Sequence, residues 1–488
     1  MTMEAKKIHF IGICGVAMSA LALAFKKQGW QVTGSDAGFY PPISTHLKIA
    51  GVDFYPGWHP EKLGTPDLVV VGNVASSTNP EWLYVQEKRL NFKSYPEVIA
   101  EYFVKKNSIV CAGTYGKSTS TTLLTWILKE AEFNPSYMFG GLSLNEIPAA
   151  EMTGSDWSIL EGDEYKTSRW DSSPKFSHYS PSHLLLTSVI WDHADVYPTE
   201  QKYFEAFEKL VAAVPKNGLV VISEQALKVL NHPSPLLRKE GTIDLPLRRG
   251  GVPTEEGRRG PVIYGKNSAN NYTYTNIVQS KNGLDFDIIH KGNTYHIASS
   301  CLGEYMADNI TGSFALAHQI GISPEKIISS IAEFKGMKRR LEKRLDGAIT
   351  IFDDIAHSPA KAKAVLQTLR QIYTGKIYAV FEPNTGNRRP EATPWYKNSF
   401  SSADEVIIPR LTKIKADPDE EPALEGEELA KIISETHSNA RYFEEDEKLI
   451  AYLKQKTRAN DVVVFLGSHG FRGMIDELVH KVCKVESL

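Results

Sequence analysis

Short apolar runs recur along the chain, separated by stretches whose apolar residues return every three or four positions. Ile8-His-Phe-Ile11, Gln31-Val-Thr-Gly34 and Asp67-Leu-Val-Val-Val-Gly72 read as strands, with a helix through Ala20, Leu21, Leu23, Ala24 and Phe25 between the first two. Ile109-Val110, Trp157-Ser-Ile-Leu-Glu161 and Leu184-Leu-Leu-Thr-Ser-Val-Ile-Trp191 read as buried strands, and Leu123, Leu124 and Ile127 mark a helix after the first of them. Tyr272–Val278, Leu284–Ile289 and Thr294–Ala298 follow as short alternating strands, and then an Ala-rich helix reaches Ala317. The last third begins with a strand, Ile349-Thr-Ile-Phe-Asp-Asp354, and a helix from Pro359. Lys376–Phe381, Glu405–Ile408 and Asp461–Leu466 follow it as further buried-type strands between helices. Strands alternating with helices imply parallel sheets, which gather ligands at the C-terminal ends of their strands.

One strand–turn–helix junction carries specific chemistry. Ile109-Val110 leads into Gly113-Thr-Tyr-Gly-Lys-Ser118, and a helix opens at Thr119. The first turn of such a helix offers unpaired N–H groups and a positive dipole end to an anion. Gly113 and Gly116 let the backbone approach phosphates, Lys117 can reach the terminal ones, and the Ser118 hydroxyl can ligate Mg²⁺. The usual phosphate loop has a glycine six positions before the lysine; Cys111 stands there, so this loop is a shortened form. Glu161, in the acidic cluster Glu161-Gly-Asp-Glu-Tyr165, and His193, in Asp192-His-Ala-Asp195, end the two neighbouring strands. Both are expected beside Ser118, and this hydroxyl, carboxylate and imidazole suit one or two Mg²⁺ or Mn²⁺ ions.

The N-terminal turn, Gly12-Ile-Cys-Gly15, half matches a dinucleotide fingerprint, with Cys14 and Ala17 at the second and third glycine positions and Ser35-Asp36 closing the second strand. NAD, a structural turn, or another nucleotide with its diphosphate at the helix N-terminus all remain open readings. Asn73–Asn79 is a small, polar strand end that fits either a crevice lining or a solvated loop. Near residue 336 a basic run, Gly336-Met-Lys-Arg-Arg-Leu-Glu-Lys-Arg344, marks a hinge. Its arginines read either as a solvated face or as a clamp on nucleotide phosphates. The expected fold class is α/β with three domains. These are a Rossmann-like domain over 1–106, a central P-loop ATPase-type parallel sheet over 107–335, and a Rossmann-like domain over 336–488.

Bulk properties narrow the class. A chain of 488 residues exceeds one hydrophobic core. A net charge of −3 gives no electrostatic case for nucleic acid or an anionic membrane. No apolar run approaches the roughly 20 residues a bilayer requires, and Met1–Lys7 leads directly into a strand without an apolar leader, so the expected location is the cytoplasm. The four cysteines are scattered without a Cys-x-x-Cys pair, which indicates neither a disulfide framework nor a zinc site.

Taken in order, the Gly-Thr-x-Gly-Lys-Ser loop, the Glu161 and Asp192-His193 strand ends and Asp353-Asp-Ile-Ala-His-Ser-Pro359 resemble the Mur ligase family over essentially the whole chain. Gly12-x-x-Gly15, Gly34-Ser-Asp36 and Glu161-x-Asp-Glu164 resemble its branch acting on UDP-N-acetylmuramate. One type in that branch adds L-alanine and another attaches the tripeptide L-Ala-γ-D-Glu-meso-diaminopimelate. Tyr40-Pro-Pro-Ile-Ser44, Asp163-Glu-Tyr165 and Lys175-Phe-Ser-His-Tyr179 resemble the second. The resemblance implies an ATP-dependent amide ligase that proceeds through an acyl phosphate and acts in peptidoglycan recycling or biosynthesis. It implies ATP contacts from Gly113, Thr114, Tyr115, Gly116, Lys117, Ser118, Thr119, Asn309, Arg340 (paired with Arg339) and Asp353. Metal contacts would come from Ser118, Glu161 and His193, catalytic roles from Lys117, Glu161, His193 and His357, and UDP-sugar contacts from Gly12, Gly15, Ser35 and Asp36. The implied partners are small molecules, without nucleic acid or membrane insertion, in a monomer or weak homo-oligomer. Tyr115 replaces the family's usual histidine, and Cys301–Asn309, Asp353–Pro359 and Glu382–Arg389 depart from its motifs, so a non-catalytic nucleotide- and UDP-sugar-binding relative is the competing expectation.

Overall fold

The computed structural model describes residues 5–39, 43–193, 196–231, 260–413 and 423–483. Tyr40–Pro42 of the Tyr40–Ser44 stretch, Asp195, and residues 247–259 of the Arg- and Gly-rich stretch Leu247–Gly260 lie outside them. The chain divides into two compact units, one built mainly from residues 1–277, 285–299 and 305–335, the other from 278–284, 300–304 and 336–488.

The first unit holds two sheets. β1 (Lys7–Ile11), β2 (Gln31–Asp36), β3 (Asp53–Pro56), β4 (Leu68–Val71) and β5 (Phe92–Ser94) form an all-parallel sheet in the order β3-β2-β1-β4-β5. Its central strands are buried on both faces, which is why Ile8, Phe10, Val69 and Val70 give continuous rather than alternating apolar runs. The strand order reverses between β1 and β4, so the crevice for a ligand opens beyond Ile11 and Val71, where the Gly12–Gly15 turn lies.

The second sheet has ten strands. β6 (Asn107–Ala112), β7 (Ser136–Met138), β8 (Ala150–Glu151), β9 (Trp157–Gly162), β10 (His183–Leu186), β11 (Leu219–Ser223), β12 (Val262–Gly265), β13 (Tyr272–Ser280), β14 (Gly283–His290) and β15 (Asn293–Ser299) take the order β15-β14-β13-β12-β11-β10-β6-β9-β7-β8. β6 pairs in parallel with β9 and β10, and the register places Ala112 opposite both Gly162 and Leu186. The phosphate-loop turn, Glu161 and the segment after Leu186 therefore emerge at one edge.

That segment corrects the expectation of a strand over Leu184–Trp191. The strand ends at Leu186 because the next residues bond to the loop instead of to a neighbouring strand. Thr187 Oγ1 donates to the Tyr115 carbonyl (2.5 Å), the Thr114 amide donates to Ser188 O (2.9 Å), and the Ile190 amide donates to Thr114 Oγ1 (2.8 Å).

Within this unit the two sheets are joined by side chains. Trp170 stacks on Trp82 with ring centres 4.9 Å apart and an interplanar angle of 16°, and Phe92 packs edge-on to both. Arg169 Nε donates to Ala75 O at 2.8 Å, Gln28 Nε2 donates to Met152 O at 2.9 Å, and Lys27 pairs with Glu151.

The second unit is a six-stranded sheet of β16 (Glu342–Asp346), β17 (Thr350–Asp354), β18 (Ile377–Glu382), β19 (Glu405–Pro409), β20 (Ala440–Phe443) and β21 (Val462–Gly467), ordered β16-β17-β21-β18-β19-β20. All neighbours are parallel except β16, which runs antiparallel to β17. Leu366, Leu369, Phe381 and Ile433 fill one face, and Leu449, Leu453, Phe465 and Leu478 fill the other. Asp354, Glu382 and Gly467 stand at one strand-end edge.

Candidate active site

The phosphate loop is built from the strand end outward. Gly113 has φ +135° and Gly116 φ +86°, a region that L side chains adopt at a cost of about 1–2 kcal/mol. A Cβ on Gly113 would lie 2.4 Å from Thr187 Oγ1, and one on Gly116 would lie 2.3 Å from Asn309 Oδ1. Close approach thus forces both glycines, and the second contact brings Asn309, from the helix Glu304–Gln319, against the loop. Gly116 caps the helix Lys117–Glu130, so the amides of its first turn face the strand-end edge. Thr119 lies in that turn, half-buried, while Tyr115 sits exposed at the tip.

Charged groups converge on this turn. Ser118 Oγ donates to Glu161 Oε1 at 2.7 Å, and the Gly140 amide donates to Glu161 Oε2 at 2.6 Å. Burial pushes the Glu161 carboxyl up from its ordinary range, against the lowering effect of those two donors and of Lys117. Lys117 Nζ lies 2.9 Å from Glu164 Oε2 and donates to the carbonyls of Gly113 (2.6 Å) and Thr114 (3.2 Å). His193 Nε2 lies 3.4 Å from Glu164 Oε1, and this contact raises the imidazole above its ordinary range despite burial. His193 adopts φ +57°.

The structure therefore couples Ser118 directly to Glu161, and couples His193 to the loop through Glu164 and Lys117. Glu164 was not singled out by sequence reasoning. Its signal was its place three residues after Glu161 in the acidic cluster.

At the N-terminal edge, the Gly12 and Ile13 amides donate to Ser35 O at 2.8 and 3.0 Å. Asp36 accepts from the Cys14 amide (2.8 Å) and from the Ala37 amide (2.7 Å), so its carboxylate shapes the turn from below. Gly15 caps the helix Val16–Lys27. The Ser35 hydroxyl is engaged by buried Glu81, which also accepts from Tyr55 OH and the His59 amide, each at 2.8 Å. Burial pushes the Glu81 carboxyl up, but His9, Ser35, the His59 amide and Tyr55 together hold it below the ordinary range.

In the second unit, Arg339 donates through Nε to Asp353 Oδ1 (3.3 Å) and through its terminal nitrogens to the carbonyls of Gly467, Ser468 and His469. It is anchored to two strand ends, while Arg340 is exposed. Burial lifts the Asp353 carboxyl to about 6, with Arg339 and Arg344 opposing. His357 Nδ1 lies 2.7 Å from Ile355 O, so that nitrogen carries the proton.

Among the described residues no three His, Cys, Asp or Glu side chains gather as a metal site. The Ser118–Glu161 pair instead offers a hydroxyl and a carboxylate, oxygen donors of the kind that suit a hard divalent cation. No helix among the described residues is long and apolar enough to cross a membrane.

Three family descriptions match successive parts of the chain. They are "Mur ligase family, catalytic domain" over residues 7–106, "Mur ligase middle domain" over 111–233 and "Mur ligase, glutamate ligase domain" over 339–469. The chain is 28% identical over 485 residues to the UDP-N-acetylmuramate–L-alanyl-gamma-D-glutamyl-meso-2,6-diaminoheptandioate ligase of Haemophilus influenzae, covering 98% of this chain and 99% of that protein. It is also 28% identical to the UDP-N-acetylmuramate–L-alanine ligase of Bartonella tribocorum, covering 99% and 97%. Its fold is similar to the crystal structure of the UDP-N-acetylmuramate-alanine ligase of Thermotoga maritima, with TM-score 0.77, 21% identity and coverage of 98% and 99%.

Proposed function

The chain belongs to the Mur ligase family, and on that premise we propose that it joins the tripeptide L-Ala-γ-D-Glu-meso-diaminopimelate to UDP-N-acetylmuramate at the expense of ATP. The observation that carries the reading is the Lys117, Ser118 and Glu161 constellation at the end of β6 and β9, in a chain matched along its length by ligases of this chemistry.

In this reading residues 1–106 hold the UDP sugar at the Gly12–Gly15 turn, 107–335 hold ATP, and 336–488 complete the ligation site. The loop amides and Lys117 bind the phosphates, with Thr114, Tyr115, Thr119 and Asn309 around them. A carboxylate oxygen of the muramate attacks the γ-phosphorus, giving an acyl phosphate and ADP. Lys117 stabilises the charge that develops on the transferring group. The tripeptide's amine then attacks the acyl carbon, the amide bond forms, and phosphate leaves. His357, whose proton sits on Nδ1, can accept the amine's proton at Nε2. Arg340 and Asp353 are the residues of 336–488 that the family resemblance assigns to the nucleotide. Ser118, Glu161 and His193 would hold Mg²⁺, which supplies charge neutralisation on the phosphates when bound. The enzyme works in the cytoplasm, as a monomer or weak homo-oligomer, in peptidoglycan recycling or biosynthesis.

The similarity to L-alanine ligases supports a second reading, in which alanine is the acceptor. ADP release separates the two. Turnover is expected with UDP-N-acetylmuramate, Mg²⁺ and the tripeptide together, and not with alanine in its place. Equal turnover with alanine selects the second reading. No turnover with either, unchanged by Lys117→Ala, selects the non-catalytic relative.

A further inference from the structure

Glu164 stands outside the residues proposed to contact ATP or metal, yet it is the carboxylate on which two of them, Lys117 and His193, converge. Its side chain is 1% exposed, and it faces Lys117 Nζ at 2.9 Å and His193 Nε2 at 3.4 Å. Its backbone carbonyl accepts from Tyr197 OH at 2.5 Å. Tyr203 OH lies 3.5 Å from Glu164 Oε1 and 2.9 Å from Thr114 Oγ1, tying the carboxylate to the phosphate loop.

A buried anion this close to the loop lysine does two things. It gives the ammonium a counter-charge, which a phosphate has to displace before Lys117 can serve the nucleotide. It also orients the imidazole, as carboxylates behind metal-binding histidines do.

We propose that Glu164 is a positioning residue that holds Lys117 and His193 as an exchangeable pair. The carboxylate gives up the lysine to the terminal phosphates on nucleotide binding while keeping the histidine aligned. The proposal rests on the function assigned above. It makes engagement of a bare nucleotide costly, since Lys117 must leave an anion, and it makes the metal-loaded state depend on Glu164.

Glu164→Gln keeps the shape and removes the charge, so its two consequences run in opposite directions. Metal-free ADP, titrated calorimetrically in EDTA, should bind about tenfold more tightly than to the wild type, because Lys117 no longer has a competing anion. With Mg²⁺ and all substrates, kcat should fall about 10- to 100-fold and half-activation should need more Mg²⁺, with KM for UDP-N-acetylmuramate unchanged. A purely structural role would weaken both readouts together.

Metal-free ADP binding equal to or weaker than wild type overturns the proposal, as does an unchanged kcat. Should the Gln variant fail to melt cooperatively, Glu164→Asp, whose carboxylate is drawn back by one methylene, carries the test. It should show the same directions at about two- to threefold, and wild-type values in both assays overturn the proposal. A wild type that releases no ADP with any acceptor sinks the functional assignment alone, because the EDTA comparison still reads the Lys117–Glu164 pair.

Discussion

Replacing Gly113 by alanine tests whether the loop's shape is dictated by its contacts with the segment after β10. Gly113 has φ +135°, where an L residue costs about 1–2 kcal/mol. The new methyl carbon would lie 2.4 Å from Thr187 Oγ1, 2.7 Å from Ser188 O and 2.8 Å from Ser188 N. Thr187 cannot turn away freely, since its hydroxyl lies within hydrogen-bond distance of the carbonyls of Ala112 (3.1 Å) and Tyr115 (2.5 Å). Ser188 is held by the Thr114 amide through its carbonyl and by the Tyr115 amide through its hydroxyl, each at 2.9 Å. Overpacking against fixed neighbours costs about 1–3 kcal/mol, so the two effects together come to about 2–5 kcal/mol. If the loop shifts to relieve the clash, its amides lose their aim and the cost appears as lost nucleotide affinity, about 30-fold or more. Calorimetric titration of ADP with Mg²⁺ reads the affinity, and a thermal melt shows whether the domain stays folded. An ADP dissociation constant within threefold of wild type, with an unchanged melt, refutes the reasoning.

Two further outcomes follow from other parts of the molecule. Asp353 holds its proton up to about pH 6 in the fold but only to about 3.8 when exposed, so the folded state binds more protons between these values and this group's contribution to stability is lost as pH rises through 6. The loss is about 3 kcal/mol at most, and Asp353→Asn should flatten the fall in urea midpoint of the C-terminal unit between pH 4 and 7; an unaltered slope contradicts this. Trp170→Ala removes the ring stacked on Trp82 and should weaken docking of the N-terminal sheet on the central one by about 1–3 kcal/mol. KM for UDP-N-acetylmuramate should then rise about tenfold with KM for ATP unchanged, and a rise in both speaks against a local effect.

Much of this site could be read from the sequence because its signals are local. A strand, two glycines, Lys117 and Ser118 lie within a dozen residues, and parallel pairing of β6 with β9 puts Glu161 next to Ser118 without further information. The expected strand to Trp191 was too long because Val189 and Ile190 look apolar enough to continue it, whereas the hydroxyls of Thr187 and Ser188 redirect the chain onto the loop. Glu164 was hidden among acidic and polar neighbours, Glu161, Asp163 and Tyr165, since its importance comes from Lys117 and His193, which lie 47 and 29 positions away. The joining of the first two sheets in one unit draws on contacts such as the stack of Trp82 on Trp170, residues 88 positions apart whose contact no periodicity announces. Asp36, expected among the UDP-sugar contacts, accepts from two backbone amides and so folds the turn, a role that only the folded loop reveals.

The central claim is that ATP activates the muramate carboxylate for amide formation, and isotope transfer tests it most directly. UDP-N-acetylmuramate carrying ¹⁸O at both carboxylate oxygens is turned over with ATP, Mg²⁺ and the tripeptide, and the released phosphate is analysed by mass spectrometry. One carboxylate oxygen leaves with the phosphate when the amine displaces it, so the account predicts one ¹⁸O in each phosphate formed. Amide product accompanied by unlabelled phosphate would contradict it.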